Sequence, residues 1–273
     1  MCRHLGCDVW EKWSMSSDIH MLQAIQDAYV DSTSKDRTVV ANRAFVAMLN
    51  IDDPLKYLNG AIPIQEPTQS DVAWLISAYR DNCRTPFLEF FSDLWPSLPQ
   101  TLEEAGFVKE NEHPIMILRR TDWTTIELPF EISISRSTVD DCDLLARVTS
   151  SAFEDCDDIS IAAQRSQGEM ERFLRAISSG RWLAVLARYA NGIAGAGLAV
   201  GNNSIREVAG VGTLPKFRRR GVARAVTSAL TEWHFENGGE LAWLTPGDAG
   251  AEGVYSSVGY RHAGTQVCYS LAV

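Results

Sequence analysis

The chain has 273 residues, 45% of them hydrophobic and 22% charged, which is enough apolar material for a full core. Its formal net charge of −10 excludes nucleic acid as a general partner, because phosphate binding wants a basic face. No run of about 18 apolar residues occurs, so neither a membrane span nor a membrane partner is expected.

The opening residues, Met1-Cys2-Arg3-His4-Leu5, lack the apolar centre of a secretory leader. Cys2, His4 and Cys7 supply too few ligands for zinc, and the six cysteines form no Cys-x-x-Cys pair. No metal is therefore expected, and free thiols in a reducing cytosol are. Asp71 to Arg80 reads as a helix, and Phe87 to Phe91 and Pro114 to Leu118 read as strands. The segment Arg119 to Pro129 divides the chain into domains of residues 1–125 and 130–273.

In the second domain Phe130 to Ser135 alternates as a strand should. Val139 to Phe153 and Ile161 to Ser178 read as helices. Trp182 to Arg188 and Ile193 to Val200 read as a hairpin turning at Asn191-Gly192. Arg206 to Thr213 is a further strand, followed by Pro215 and the run Arg218-Arg219-Arg220-Gly221-Val222-Ala223. That run opens a helix whose Val222, Val226, Ala229, Leu230 and Trp233 share one face. Glu240 to Thr245 reads as a strand, Asp248 to Val258 as a short helix, and Thr265 to Ala272 as the closing strand.

A strand, a cationic Gly-containing turn and a helix start together make an anion site. The first N–H groups of a helix have no intrahelical partners, and the dipole favours negative charge there. Gly221 permits close approach of a ligand, and the small Ala223 leaves room. The ligand implied is a phosphate or pyrophosphate. A P-loop is excluded because no Gly-Lys-Ser/Thr follows, and a dinucleotide fold because Gly-x-Gly-x-x-Gly is missing from the turn.

The pattern Arg-x-x-Gly-x-Ala at 218–223 resembles the acetyl-CoA signature of the GNAT N-acetyltransferase superfamily. Val254-Tyr255-Ser256-Ser257-Val258-Gly259-Tyr260 resembles the Leu-Tyr-x-x-x-Gly-Phe ending of the same family. The resemblance covers residues 130 to 273. It implies an α/β fold with a mixed, mostly antiparallel sheet flanked by helices. It also implies acetyl-CoA as cosubstrate and direct transfer of its acetyl group to a primary amine, in an acyltransferase acting as monomer or homodimer.

Roles follow from the resemblance. The backbone of Arg219 to Ala223 would hold the pyrophosphate, with charge from Arg218, Arg219 or Arg220. Val211, Gly212 and Thr213 would pair with the pantetheine arm, and an N–H of that strand would stabilise the oxyanion. Tyr255 would be the general acid, protonated at neutral pH and able to protonate the leaving thiolate. Glu207 would be the base. Relatives carry asparagine where this chain has Asp248, so a pantetheine contact there is in doubt, and Thr245 and Ser256 offer hydroxyls instead. Phe153, Glu154 and Asp155 stand where relatives bind the acceptor, in a run of acids suited to a cationic amine.

The first half weakly repeats the second. With Gly106-Phe107 set on Gly259-Tyr260, Phe87 to Phe91 falls on Glu240 to Leu244. At that offset Gly221 meets Thr68, in a stretch without Gly or Arg, and Tyr255 meets Leu102. The first half therefore reads as a degenerate GNAT-like copy that binds no CoA. A small-molecule amine acceptor is the leading expectation. A protein or peptide acceptor, or an acetyl-CoA sensor without turnover, are the alternatives.

Overall fold

The structure, a computed structural model, describes residues 17–162 and 167–272. Cys2, His4 and Cys7 lie outside the described residues. In chain order the elements of the first half are α1 (Asp18–Ser34), β1 (Thr38–Ala41), β2 (Phe45–Leu49), β3 (Ala61–Pro63), α2 (Gln69–Asp81), β4 (Phe87–Phe91), α3 (Leu98–Glu104) and β5 (Phe107–Arg119). Those of the second are β6 (Ile132–Arg136), α4 (Cys142–Phe153), α5 (Gln167–Ser178), β7 (Trp182–Tyr189), β8 (Gly192–Gly201), β9 (Ile205–Thr213), α6 (Val222–Glu236), β10 (Leu241–Leu244), α7 (Ala249–Ser256) and β11 (Arg261–Leu271).

These elements form two compact units. The first comprises the described residues up to Ile115 together with those from Ala263 onward; the second is Met116–His262. The units do not follow the division read from the sequence, because the closing strand β11 belongs mostly to the first. There it pairs antiparallel with β4, Cys268 opposite Glu89. The last residues of β5, Met116 to Arg119, pair antiparallel with β10 in the second unit.

Each unit has the same sheet pattern, mixed and mostly antiparallel with helices against it. In the first, β1, β2 and β3 are antiparallel neighbours and β3 runs parallel to β4. In the second, β6 to β9 are antiparallel and β9 runs parallel to β10. The weak repeat is visible here. Gly106 and Gly259 both have positive φ, and each N–H bonds a carbonyl three residues back at 3.0 Å. The strands correct the ungapped alignment by one residue. Leu88 and Phe90 enter the first core and Ala242 and Leu244 the second, so Leu88, not Glu89, matches Ala242.

Helix α6 buries Val222, Ala225, Val226 and Leu230, much of the face expected from its spacing. Strand β8 lets it lie close because it lacks side chains where they would collide. A Cβ on Gly197 would stand 2.5 Å from Val226 Cγ1, and one on Gly195 would stand 2.5 Å from the Gly212 carbonyl oxygen. Backbone cannot yield as a side chain can, so Gly195→Ala should destabilise the protein by about 1–3 kcal/mol in urea unfolding.

Other expectations shift slightly. The hairpin of β7 and β8 turns at Ala190-Asn191, with Tyr189 opposite Gly192 and Ala190 at φ 52°, one residue before the expected turn. Val139 to Asp141 form a 3₁₀ turn ahead of α4, and Ile161 and Ala162 precede α5 instead of belonging to it. His234 is a core residue. It is 2% exposed, its Nε2 lies 3.0 Å from the Leu241 carbonyl, and burial pushes its pKa down to about 4.

That last shift has a sign. The folded protein keeps His234 neutral, whereas the unfolded chain protonates it near pH 6.5. Its contribution is complete above pH 6.5 and is lost as pH falls toward 4, by about 3 kcal/mol in all. His234→Gln should flatten the pH dependence of the urea midpoint in that window, and an unchanged slope would refute the assignment.

Candidate active site

Strand β9 carries the centre of the site. It pairs with β10 only from Ile205 to Glu207, opposite Leu241 to Trp243, yet it continues to Thr213. From Val208 onward its edge toward β10 is therefore open. On its other side β9 follows β8, with an irregularity: Ala196 faces Gly212 and Leu198 faces Ala209, so Gly210 and Val211 together oppose Gly197. This is a β-bulge, with Gly210 at φ +60°. A bulge leaves a residue unpaired and bends its strand. Val211, Gly212 and Thr213 thus lie on an open strand edge that can offer backbone hydrogen bonds to an extended ligand.

The strand feeds the cationic loop. After a short 3₁₀ turn at Pro215–Phe217, Arg219 and Gly221 take positive φ, 61° and 85°, and α6 begins at Val222. Gly221 is required by this backbone conformation. Its absent Cβ would point at Pro129 and Ile132, 3.6 and 3.8 Å away, so steric room for a ligand is not what selects glycine there. Gly221 is the N-cap of α6 and no side chain caps the helix. The first N–H groups, those of Val222 and Ala223 among them, therefore face outward without a side-chain acceptor.

Cations collect at this helix start although the dipole disfavours them there. The first turn of α6 holds no acid. Arg219 is exposed, and Arg220 lies over the Tyr189 ring at 5.1 Å. Arg224, which sequence reasoning passed over, sits in the first turn with its Nε buried and without a partner. Its signal was a fourth arginine just after Ala223, in the turn least hospitable to it. Arg218 is turned away. Its Nη2 donates to the Ala152 carbonyl at 3.0 Å, its Nε to the Thr213 carbonyl at 3.4 Å, and its Nη1 pairs with Asp155.

Tyr255 stands on α7, 9% exposed, packed edge-on against Tyr260 with ring centroids 6.5 Å apart. The Tyr260 hydroxyl is itself held by Thr231 Oγ1 at 2.7 Å. Burial, with a smaller contribution from the Asp248 carboxylate, raises the Tyr255 pKa and keeps the phenol protonated. Asp248 is the N-cap of α7, accepting from the Ala251 N–H at 2.7 Å, so its side chain is already employed in fixing the helix that carries Tyr255. Thr245 follows β10 half-buried, and Ser256 is exposed on α7. Glu207 is half-buried beside Trp243 at the last paired position before β9 opens.

The acceptor segment is mostly self-satisfied. Asp155 pairs with Arg218, Asp157 accepts the Lys216 N–H at 2.9 Å, and Asp158 accepts from Ser160 Oγ at 2.6 Å. Phe153, 67% exposed, and Glu154 remain open to solvent.

Residues 146–260 match the model of the acetyltransferase (GNAT) family. Over that segment the chain is similar to a GNAT acetyltransferase domain. No curated protein sequence matches the chain. The fold is similar to that of a GCN5-related N-acetyltransferase from Kribbella flavida, with TM-score 0.75 and 23% identity over 93% of this chain and 96% of that one. It is also similar to a GCN5-related N-acetyltransferase from Sphaerobacter thermophilus, with TM-score 0.61 and 15% identity over 92% and 93%. A tandem GNAT protein from the clavulanic acid biosynthesis pathway gives TM-score 0.60 and 10% identity over 94% of each chain.

The first unit supplies a contrast to this GNAT-like segment. There the helix matching α6 is α2, and its N-cap residue is bonded from within. The Asp71 carboxylate accepts from the Thr68 N–H at 2.9 Å and from Thr68 Oγ1 at 2.6 Å, and pairs with Arg43. Burial alone would raise the Asp71 pKa; the Thr68 bonds and Arg43 reverse this and hold it below the usual carboxylate range. The N-cap N–H of α2 thus has a carboxylate acceptor in the chain itself, whereas no side chain caps α6. Among the described residues no group of His, Cys, Asp and Glu could hold a metal ion, and no helix is long and apolar enough to cross a membrane.

Proposed function

We propose that the chain transfers the acetyl group of acetyl-CoA to a primary amine of a small molecule in a reducing cytosol. The observation that carries this reading is the run from the open edge of β9 into an uncapped, cation-rich helix start. The N–H groups of Val222 and Ala223, with Arg219, Arg220 and Arg224, hold the pyrophosphate. Val211, Gly212 and Thr213 hold the pantetheine arm by backbone bonds. The Thr213 hydroxyl, buried and without a partner among the described residues, adds a polar contact.

Glu207 accepts the proton of the incoming ammonium, directly or through water, and frees the nitrogen lone pair. That nitrogen attacks the thioester carbonyl carbon, and an N–H at the Gly210–Val211 bulge stabilises the oxygen as it gains charge. Tyr255 gives its proton to the sulfur as the carbon–sulfur bond breaks, and the second proton shed by the nitrogen returns through water to the Tyr255 oxygen, leaving a neutral amide. The free thiols of Cys83, Cys142, Cys156 and Cys268 suit a reducing compartment. Thiol release from acetyl-CoA across a panel of primary amines tests the reading, run on the native protein and on Glu207→Gln. Release with at least one amine is expected, with the acid limb of the pH–rate profile flattened in Glu207→Gln. No release with any amine would remove the catalytic reading.

A further inference from the structure

Arg218 is the first residue of the acetyl-CoA signature, yet its guanidinium is committed elsewhere. Its three nitrogens reach three separate pieces of the chain: the end of β9 at Thr213, the C-terminal turn of α4 at Ala152, and Asp155 just beyond that turn. A cation on the last carbonyls of a helix is favourably placed by the dipole. Asp155 is positioned for this contact by its backbone. It has φ 57°, and around it Glu154 N–H bonds the Ser150 carbonyl and Cys156 N–H the Ser151 carbonyl, the reversal that ends α4. Such a position favours glycine; here an aspartate takes it and aims its carboxylate at Arg218.

A second tie runs beside the first. The backbone N–H of Lys216, in the turn between β9 and the cationic loop, donates to Asp157. The segment that follows α4 is thus bound twice to the segment that leads into α6. The Arg218–Asp155 pair is exposed, its side chains 45% and 74% accessible, so as an ion pair it adds little to overall stability. What it fixes is a relative position. One end of the tie lies at the backbone edge offered to the pantetheine, the other at the segment carrying Phe153 and Glu154.

We infer that Arg218 is a positioning residue, which through Asp155 couples the cofactor loop to the segment after α4, and is not a ligand of the pyrophosphate. The inference rests on the acetyl-CoA reading above. Binding of acetyl-CoA at the loop then steadies the acceptor segment through this tie, and loosening the tie weakens acetyl-CoA binding without removing a phosphate contact.

The test is a mutant cycle read by calorimetric titration with acetyl-CoA at several salt concentrations. Asp155→Gly suits it because glycine keeps the chain reversal, relieves its strain and removes only the carboxylate. Asp155→Gly should weaken acetyl-CoA binding about threefold in the native background and leave it unchanged in Arg218→Ala. Arg218→Ala should keep the native salt dependence, since no phosphate contact is lost. Hydrogen exchange supplies the reading that a merely structural role would not move. Acetyl-CoA should slow exchange at Cys156 to Ile161 in the native protein and not in either variant.

Three results would overturn the inference: no effect of Asp155→Gly, an equal effect in both backgrounds, or a flattened salt dependence in Arg218→Ala, which would make Arg218 a phosphate ligand. If the native protein binds no acetyl-CoA, the functional reading falls and this inference with it. If native binding is sound and the cycle shows no coupling, the inference alone falls.

Discussion

Tyr255→Phe is expected to lower turnover by about a hundredfold or more while leaving acetyl-CoA affinity within about twofold of native. The substitution removes one hydroxyl and keeps the ring that packs against Tyr260. If the phenol protonates the leaving thiolate, its loss falls on the chemical step alone. Burial raises its pKa, so the protonated form persists into alkaline solution, and the alkaline limb of the rate profile assigned to Tyr255 should lie above the ordinary phenol value of about 10. Steady-state rates of the two proteins between neutral pH and pH 11 check both points. Native turnover in Tyr255→Phe would end the general-acid assignment, and packing would be left as the residue's role.

Gly221→Asp should weaken acetyl-CoA binding by about a hundredfold or more, because it adds a negative charge to the turn proposed to hold the pyrophosphate and strains its left-handed backbone. In the first unit the matching helix α2 begins at a Thr68–Asp71 capping box, in which the carboxylate accepts the Thr68 N–H. Aspartate tolerates the left-handed backbone better than most residues. The variant should therefore stay folded, with circular dichroism unchanged, while calorimetry shows the loss. Native affinity in a folded variant would mean that the helix start is not the anion site.

Much of this was legible in the sequence because it is local. The anion loop, the face of α6, and the β7–β8 hairpin depend on residues close together in the chain. The features that shape the site depend on distant pairings. That β9 parts from β10 after Glu207 is set by how far Leu241 to Trp243 extend beside it, and no motif near Val208 announces it. The bulge at Gly210 and Val211 requires Gly197 from another strand. Arg218 reads as one more phosphate cation until Asp155 and Ala152 stand beside it. The placement of β11 against β4 rests on pairing across most of the chain, as Gln266 opposite Phe91 illustrates. Asp248 looked like an altered ligand, and the structure gives it a local task as the cap of α7.

The account turns on one open and one closed helix start in the same chain. Calorimetric titration of the whole protein with acetyl-CoA tests this most directly. One acetyl-CoA bound per chain is the expected result, lost in Gly221→Asp. Two per chain would contradict the closure of α2 by Asp71, and none would contradict the open site at α6.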